Sequence, residues 1–194
     1  LNNVNLQCPP QEETSQEQKN KMRRIIITIL LALPAMIMTA QETPVKWYSI
    51  EEAVKMAKTN PRPIFVDAYT DWCGWCKKLD KDTFSNPVIA EILNNQYYAV
   101  KFNAESTDPV MFQGKKFIND GQLGKTHQLA YGLLQGKLSY PTVVFLTSGS
   151  ELITPLPGYR GAKEFEPFLI YFAGADWQKK SFEDFMKTFA GKIK

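Results

Sequence analysis

Apolar and polar positions along the chain divide it into segments of alternating period. In "SIEEAVKMAKTN", Ile50, Ala53, Val54 and Ala57 recur at i, i+3, i+4 and i+7, and Glu52 follows Ser49 by three residues as in a capping box, which predicts an amphipathic helix. "RPIFVDAYT" is a short apolar run and predicts a buried strand, with Asp67 as its one acidic residue. A second helix opens in "DWCGWCKK" and runs to about Asp80. "NPVIAEILNN" predicts a third, with Asn86 as N-cap and Pro87 in its first turn, and "YYAVKFNA" predicts another strand.

A long segment from Glu105 to Gly124 precedes a helix near "KTHQLAYGLL", where His127 reads as a surface or boundary residue. "SYPTVVFLTSGSELITPLPGYRG" then predicts a strand, a turn at Ser148 to Ser150 and a returning strand. Phe165, Phe168, Leu169 and Phe172 share one face of a helix from Ala162 to Phe172. In the C-terminal "KKSFEDFMKTFAGKIK", Phe182, Phe185, Met186 and Phe189 form one helical stripe, expected to cover the domain's own core, with a partner-binding helix as the alternative. The order is that of an α/β fold with a terminal hairpin, and so of a mixed sheet covered by helices.

The N-terminus follows a different pattern. Lys19, Lys21, Arg23 and Arg24 precede an apolar run from Ile25 to Met38, and the small residue Ala40 follows. This is a signal-peptide layout, with cleavage expected after Ala40. The run is short of the roughly 20 residues that span a bilayer and contains Pro34, so an uncleaved membrane anchor is the weaker alternative. Residues 1–21 are polar and read as an over-extended gene start, with Met22 as the first residue, 22–40 as the signal peptide and 41–194 as the folded domain. The expected location is the periplasm or an equivalent exported compartment.

Composition narrows the class. Of the 194 residues 44% are hydrophobic and 12% aromatic, enough for a real core. A formal charge of +3 with no basic block gives no reason to expect nucleic acid as a partner. Setting aside Cys8 with the N-terminal segment leaves Cys73 and Cys76 as the domain's cysteines, in an oxidising compartment.

The pair can be weighed chemically. A closed zinc site needs four ligands, but the domain has no second CxxC and its single histidine is His127. Haem attachment needs a histidine after the second cysteine, where Lys77 stands. A structural disulfide across two residues constrains the unfolded chain little. Redox chemistry fits better: at a strand-to-helix junction the helix N-terminus stabilises a thiolate at Cys73, and Cys76, one turn further in, is placed to attack a mixed disulfide. Trp72 and Trp75 either pack or offer an apolar landing surface beside the thiol. A carboxylate such as Asp67 inside an apolar strand is costly unless paired or neutral, which points to a functional role.

From about Trp47 to Phe172 the chain resembles the thioredoxin family. Asp67 precedes Cys73 by six residues, as does the family's buried aspartate that helps move the second thiol's proton. Lys101 in "AVKFNA" matches the lysine beside that aspartate, and Pro141 in "YPT" matches the cis-proline that lets the preceding residue, here Tyr140, pair with substrate. "WCGWCKKLDKDTFSNPVIAEIL" is similar to the exported branch that includes the C-terminal thioredoxin-like domain of the membrane thiol:disulfide interchange reductase. The resemblance implies a thioredoxin fold, a central mixed sheet flanked by helices, with an insertion (105–124) before the cis-proline and an extra C-terminal helix.

It also implies a protein-disulfide reductase with Cys73, Cys76, Asp67 and Lys101 as catalytic residues and Trp72, Gly74, Trp75, Tyr140 and Pro141 facing substrate. No cofactor or metal is required. The implied partners are disulfide-containing proteins and a membrane-embedded thiol electron donor, and the chain is expected as a monomer. A disulfide oxidant or isomerase of the same fold, and a non-catalytic binding module, are the alternatives. Trp75 stands where thioredoxin has proline, so the redox potential does not carry over.

Overall fold

Local sequence sets most element boundaries in the structure, a computed structural model that describes residues 16, 18–22 and 43–194. The expected apolar run Ile25–Met38, its cleavage site at Ala40, and Cys8 lie outside the described residues. Residues 1–41 form one unit, in which 18–22 are helical, and residues 42–194 form the other, described here. Among the described residues no helix is long and apolar enough to cross a membrane.

Strand β1 (Trp47–Tyr48) leads into α1 (Ile50–Thr59), whose capping box is complete: Ser49 Oγ accepts the Glu52 N–H at 3.2 Å and Glu52 Oε2 accepts the Ser49 N–H at 2.9 Å. After β2 (Ile64–Tyr69), α2 (Gly74–Leu79) passes into a π-helical turn, Asp80–Phe84, that the sequence pattern did not predict. Helix α3 (Pro87–Gln96) is capped by Asn86 as expected, and β3 (Tyr98–Asn103) follows. Next come a short hairpin of β4 (Val110–Phe112) and β5 (Lys115–Phe117), then α4 (Gln128–Leu133), β6 (Thr142–Leu146), β7 (Leu152–Pro157), α5 (Ala162–Ala173), α6 (Asp176–Lys179) and α7 (Phe182–Met186).

The main sheet has the order β1-β3-β2-β6-β7: β1, β3 and β2 pair in parallel, β6 runs antiparallel to β2, and β7 runs antiparallel to β6. It is the mixed sheet of a thioredoxin fold. Alternation along the strands divides two cores. Ile64, Val66, Ala68, Val100 and Val144 face α1 and α4, whereas Phe65, Ala99, Val143 and Phe145 face α3 and α5. Asp67 and Lys101, paired in register, therefore point with Phe65 and Ala99 toward this second layer.

The segment 105–124, expected as an insertion, carries a structure of its own. Gln113 and Gly114 turn the β4–β5 hairpin with φ of 50° and 74°, the positive pair of a type I′ turn. Val110 and Phe112 enter the core beside α1, Met111 N–H donates to Glu51 Oε1 at 3.0 Å, and Gln113 Nε2 donates to Ser150 O. Ser150 follows Leu146, which pairs with Ile64, so the hairpin tip lies at the end of the sheet opposite the cysteines.

Two expectations are corrected. His127 is no surface residue: it is fully buried, its Nδ1 caps α4 by accepting the Leu129 N–H at 3.1 Å, and its Nε2 donates to Asp108 O at 3.1 Å. The cap and the insertion together enclose the ring, whose edge packs on Phe102 at 5.3 Å. The C-terminal stripe is also broken. Phe185 is buried and Phe182 stacks on Phe168 at 4.2 Å, but α7 is too short to hold all four positions on one face, and Met186 is 43% exposed. Beyond it the tail is held by the buried Glu166, whose Oε1 accepts the Lys192 N–H at 2.7 Å and Oε2 the Ile193 N–H at 3.0 Å.

Candidate active site

Cys73 is the N-cap of α2, and the two cysteines form a disulfide with an S–S distance of 2.09 Å. The Cys73 N–H donates to Thr70 O at 3.1 Å, which closes the turn between β2 and α2. Cys73 Sγ accepts the Cys76 N–H at 3.0 Å, one of the donors a helix start leaves free. Both cysteines are buried in this oxidised state, Cys73 4% exposed and Cys76 2%.

Around this centre the structure gathers the other residues by register. Ala68 pairs with Thr142, so the chain leaving β2 for Cys73 and the chain entering β6 from Pro141 share one end of the sheet. The Tyr140–Pro141 peptide is cis. Trp72, 66% exposed, meets the Tyr140 ring edge-on at 6.0 Å and donates its indole N–H to Glu105 Oε2 at 3.1 Å. Trp75 is 58% exposed, so neither indole is a core packing residue. A Cβ at Gly74 would meet nothing within 4 Å, so the space beside this residue is open.

Asp67 is 1% exposed, with Oδ2 accepting from Lys101 Nζ at 3.0 Å and Oδ1 buried without a hydrogen-bond partner. Burial is the largest influence on it and, despite the neighbouring Lys101, pushes its pKa up from 3.8 to about 6. Lys101 is shared: it also pairs with Asp80, and its ammonium lies 5.0 Å from the Trp47 ring centroid and 5.3 Å from that of Tyr69. Burial works against the ammonium, but the two carboxylates outweigh it and its pKa is raised. Asp80 was absent from the expected set. Its position four residues after Cys76, one helical turn along α2, is the signal that could have found it; its N–H donates to Cys76 O.

Three features lie together: a dithiol closed into a disulfide, a buried acid with a raised pKa on the sheet face that packs on α3 and α5, and an ammonium between that acid and Asp80 at the end of α2. Such a centre can exchange two electrons with another disulfide and handle the accompanying proton. Among the described residues no group of three or more His, Cys, Asp or Glu side chains is placed to hold a metal ion.

Residues 32–156 match the family Thioredox_DsbH, described as a protein of unknown function, DUF255. The uncharacterized protein B0495.5 of Caenorhabditis elegans is 29% identical over 143 residues, which are 71% of this chain and 18% of that protein. The thiol:disulfide interchange protein DsbD of Pectobacterium atrosepticum is 28% identical over 116 residues, 59% of this chain and 17% of that one. The chain thus spans less than a fifth of either relative. Among solved structures, a thioredoxin from Thermus thermophilus superposes with a TM-score of 0.52 at 20% identity, covering 69% of this chain and 91% of that one. The match over residues 32–156 shows that the chain belongs to the Thioredox_DsbH family, carried here on a thioredoxin fold with its disulfide at the β2–α2 junction.

Proposed function

We propose that the protein is an exported protein-disulfide reductase working through its CGWC centre. In the reduced enzyme the Cys73 thiolate attacks one sulfur of a substrate disulfide, forming a mixed disulfide and releasing the first substrate thiolate. Cys76 then loses its proton to Asp67 and attacks Cys73 Sγ, which releases the second substrate thiolate and leaves the Cys73–Cys76 disulfide. Two electrons have passed from enzyme to substrate. A membrane-embedded dithiol donor returns them, and no organic cofactor enters the cycle.

Asp67 carries this reading. A base that takes a thiol proton near neutral pH works best with a pKa near that pH, and a buried carboxyl at about 6 meets the requirement where an exposed one near 4 does not. Lys101 keeps the charged form accessible. Trp72, Gly74, Trp75, Tyr140 and Pro141 are proposed as the substrate-facing surface, which the exposure of both indoles and the open space at Gly74 support. Export is supported by the order of basic cluster, apolar run and Ala40.

The test is insulin-disulfide reduction with single cysteine variants. Cys73→Ser abolishes turnover and forms no mixed disulfide; Cys76→Ser loses turnover but accumulates mixed disulfides, whose partners can be identified. Equal trapping by the two variants would overturn the assignment of attacking and resolving thiols.

A further inference from the structure

Trp75 lies between the two cysteines and is largely exposed, yet its indole is braced. The Tyr159 ring meets it with centroids 5.3 Å apart and planes at 48°. Tyr159 in turn donates its hydroxyl to Asp82 Oδ2 at 3.0 Å, Asp82 pairs with Lys78, and the Lys78 ammonium lies 5.3 Å from the Tyr159 ring centroid. The turn presenting Tyr159 is itself tied down. Gly158 N–H donates to Pro141 O at 2.8 Å, Arg160 Nη1 donates to Pro157 O at 2.8 Å, and Thr83 Oγ1 donates to Arg160 O at 2.7 Å. Gly158 has a φ of 92°, a conformation that side-chain-bearing residues rarely adopt.

We propose that Trp75 and Tyr159 form a fixed recognition wall that selects substrates carrying a large apolar side chain next to the cysteine under attack. The inference rests on the oxidoreductase reading and adds a substrate class to it. An indole already held in one orientation loses little freedom when a partner lands on it, so contact with a second apolar group is realised as affinity. The charges at the wall are already engaged with each other. Lys78 is paired with Asp82, so the cation over the Tyr159 ring is not free to draw in an acidic side chain. A basic side chain seeking an aromatic face meets the Lys78 ammonium already positioned over Tyr159. Tyr159 and Asp82 act through Trp75 and are positioning residues.

The experiment compares reduction of a set of disulfide-linked peptides that differ only in the residue beside one cysteine: Phe, Gly, Glu or Lys. The wild type is expected to favour the Phe peptide over the Gly peptide by about 10-fold in kcat/KM, through KM. Trp75→Ala removes the preference. Tyr159→Ala lowers it by about 5-fold, and Tyr159→Phe, which keeps the ring and loses the bond to Asp82, falls between. Equal kcat/KM for the Phe and Gly peptides in the wild type, or a preference for Lys or Glu, overturns the wall while leaving the reductase reading standing. Loss of turnover on every peptide, Gly included, overturns both.

Discussion

Lys101 is held between two acids of unlike exposure, 3.0 Å from Oδ2 of the buried Asp67 and in direct contact with Asp80, whose side chain is 43% exposed. One ammonium therefore couples the sheet interior to the end of the CxxC helix. Removing either acid hands the cation to the other, and the two removals have opposite consequences.

Asp67→Asn should stabilise the fold at neutral pH. The folded pKa of Asp67 is raised, so its penalty is absent below about 3.8 and fully present above about 6. At about 1.4 kcal/mol per pH unit this window amounts to at most about 3 kcal/mol, less whatever Lys101 loses as its partner goes. Urea denaturation at pH 4 and pH 7 is expected to show the gain only at pH 7. In the same variant the second, resolving phase of stopped-flow disulfide exchange should slow more than the first, and an unchanged second phase would remove Asp67 from the proton path.

Asp80→Asn should lower the pKa of Asp67, because Asp80's charge raises it and Lys101 becomes free to serve Asp67 alone. A base with a lower pKa stays ionised to lower pH. The acid limb of the reduction rate is expected to move down by about 0.5 to 1 pH unit. Tyr69, whose ring centroid lies 5.3 Å from the Lys101 ammonium, has its pKa raised chiefly by burial and so stays protonated throughout that limb. A limb that stays in place would show that Asp80 does not act through Lys101.

His127 gives a test of the insertion. His127→Ala removes a helix cap and a buried ring together and should cost about 2 to 4 kcal/mol. Burial lowers the folded pKa of His127 below 6.5, so the unfolded chain takes up its proton first and stability declines as pH falls below about 6.5. A stability profile flat from pH 7 to 5.5 after correction by the Asp67→Asn variant would contradict the neutral, capping histidine.

For the N-terminus, sequencing of the native protein from the exported fraction is expected to begin near Gln41. A sequence that retains Met22 would favour the membrane anchor instead.

Much of the fold was legible because its signals are local. Ser49 with Glu52, and Asn86 with Pro87, announce helix starts through bonds within a few residues. Cys73, Asp67, Lys101 and Pro141 were legible through spacing and resemblance. What stayed hidden depends on contacts distant in sequence. His127 looks polar and so superficial, and nothing nearby in sequence reveals that Asp108 and Phe102 enclose it. The hairpin was missed because each strand has three residues, too few to show a period. Tyr159 braces Trp75 across 84 positions, and no pattern in either segment indicates that the rings meet.

The grip of Glu166 on the last residues makes the C-terminus a poor place for trimming. A chain ending at Gly191 would lose both donors and leave a carboxylate sealed beside α5 with its charge unanswered. Gly191 itself has no room to grow, since a Cβ there would come within 2.7 Å of Glu166 Oε2. Anyone shortening the domain for crystallisation, or adding a methyl at that glycine, would be opening a seam far from the cysteines and would read the damage as a fault in the redox centre.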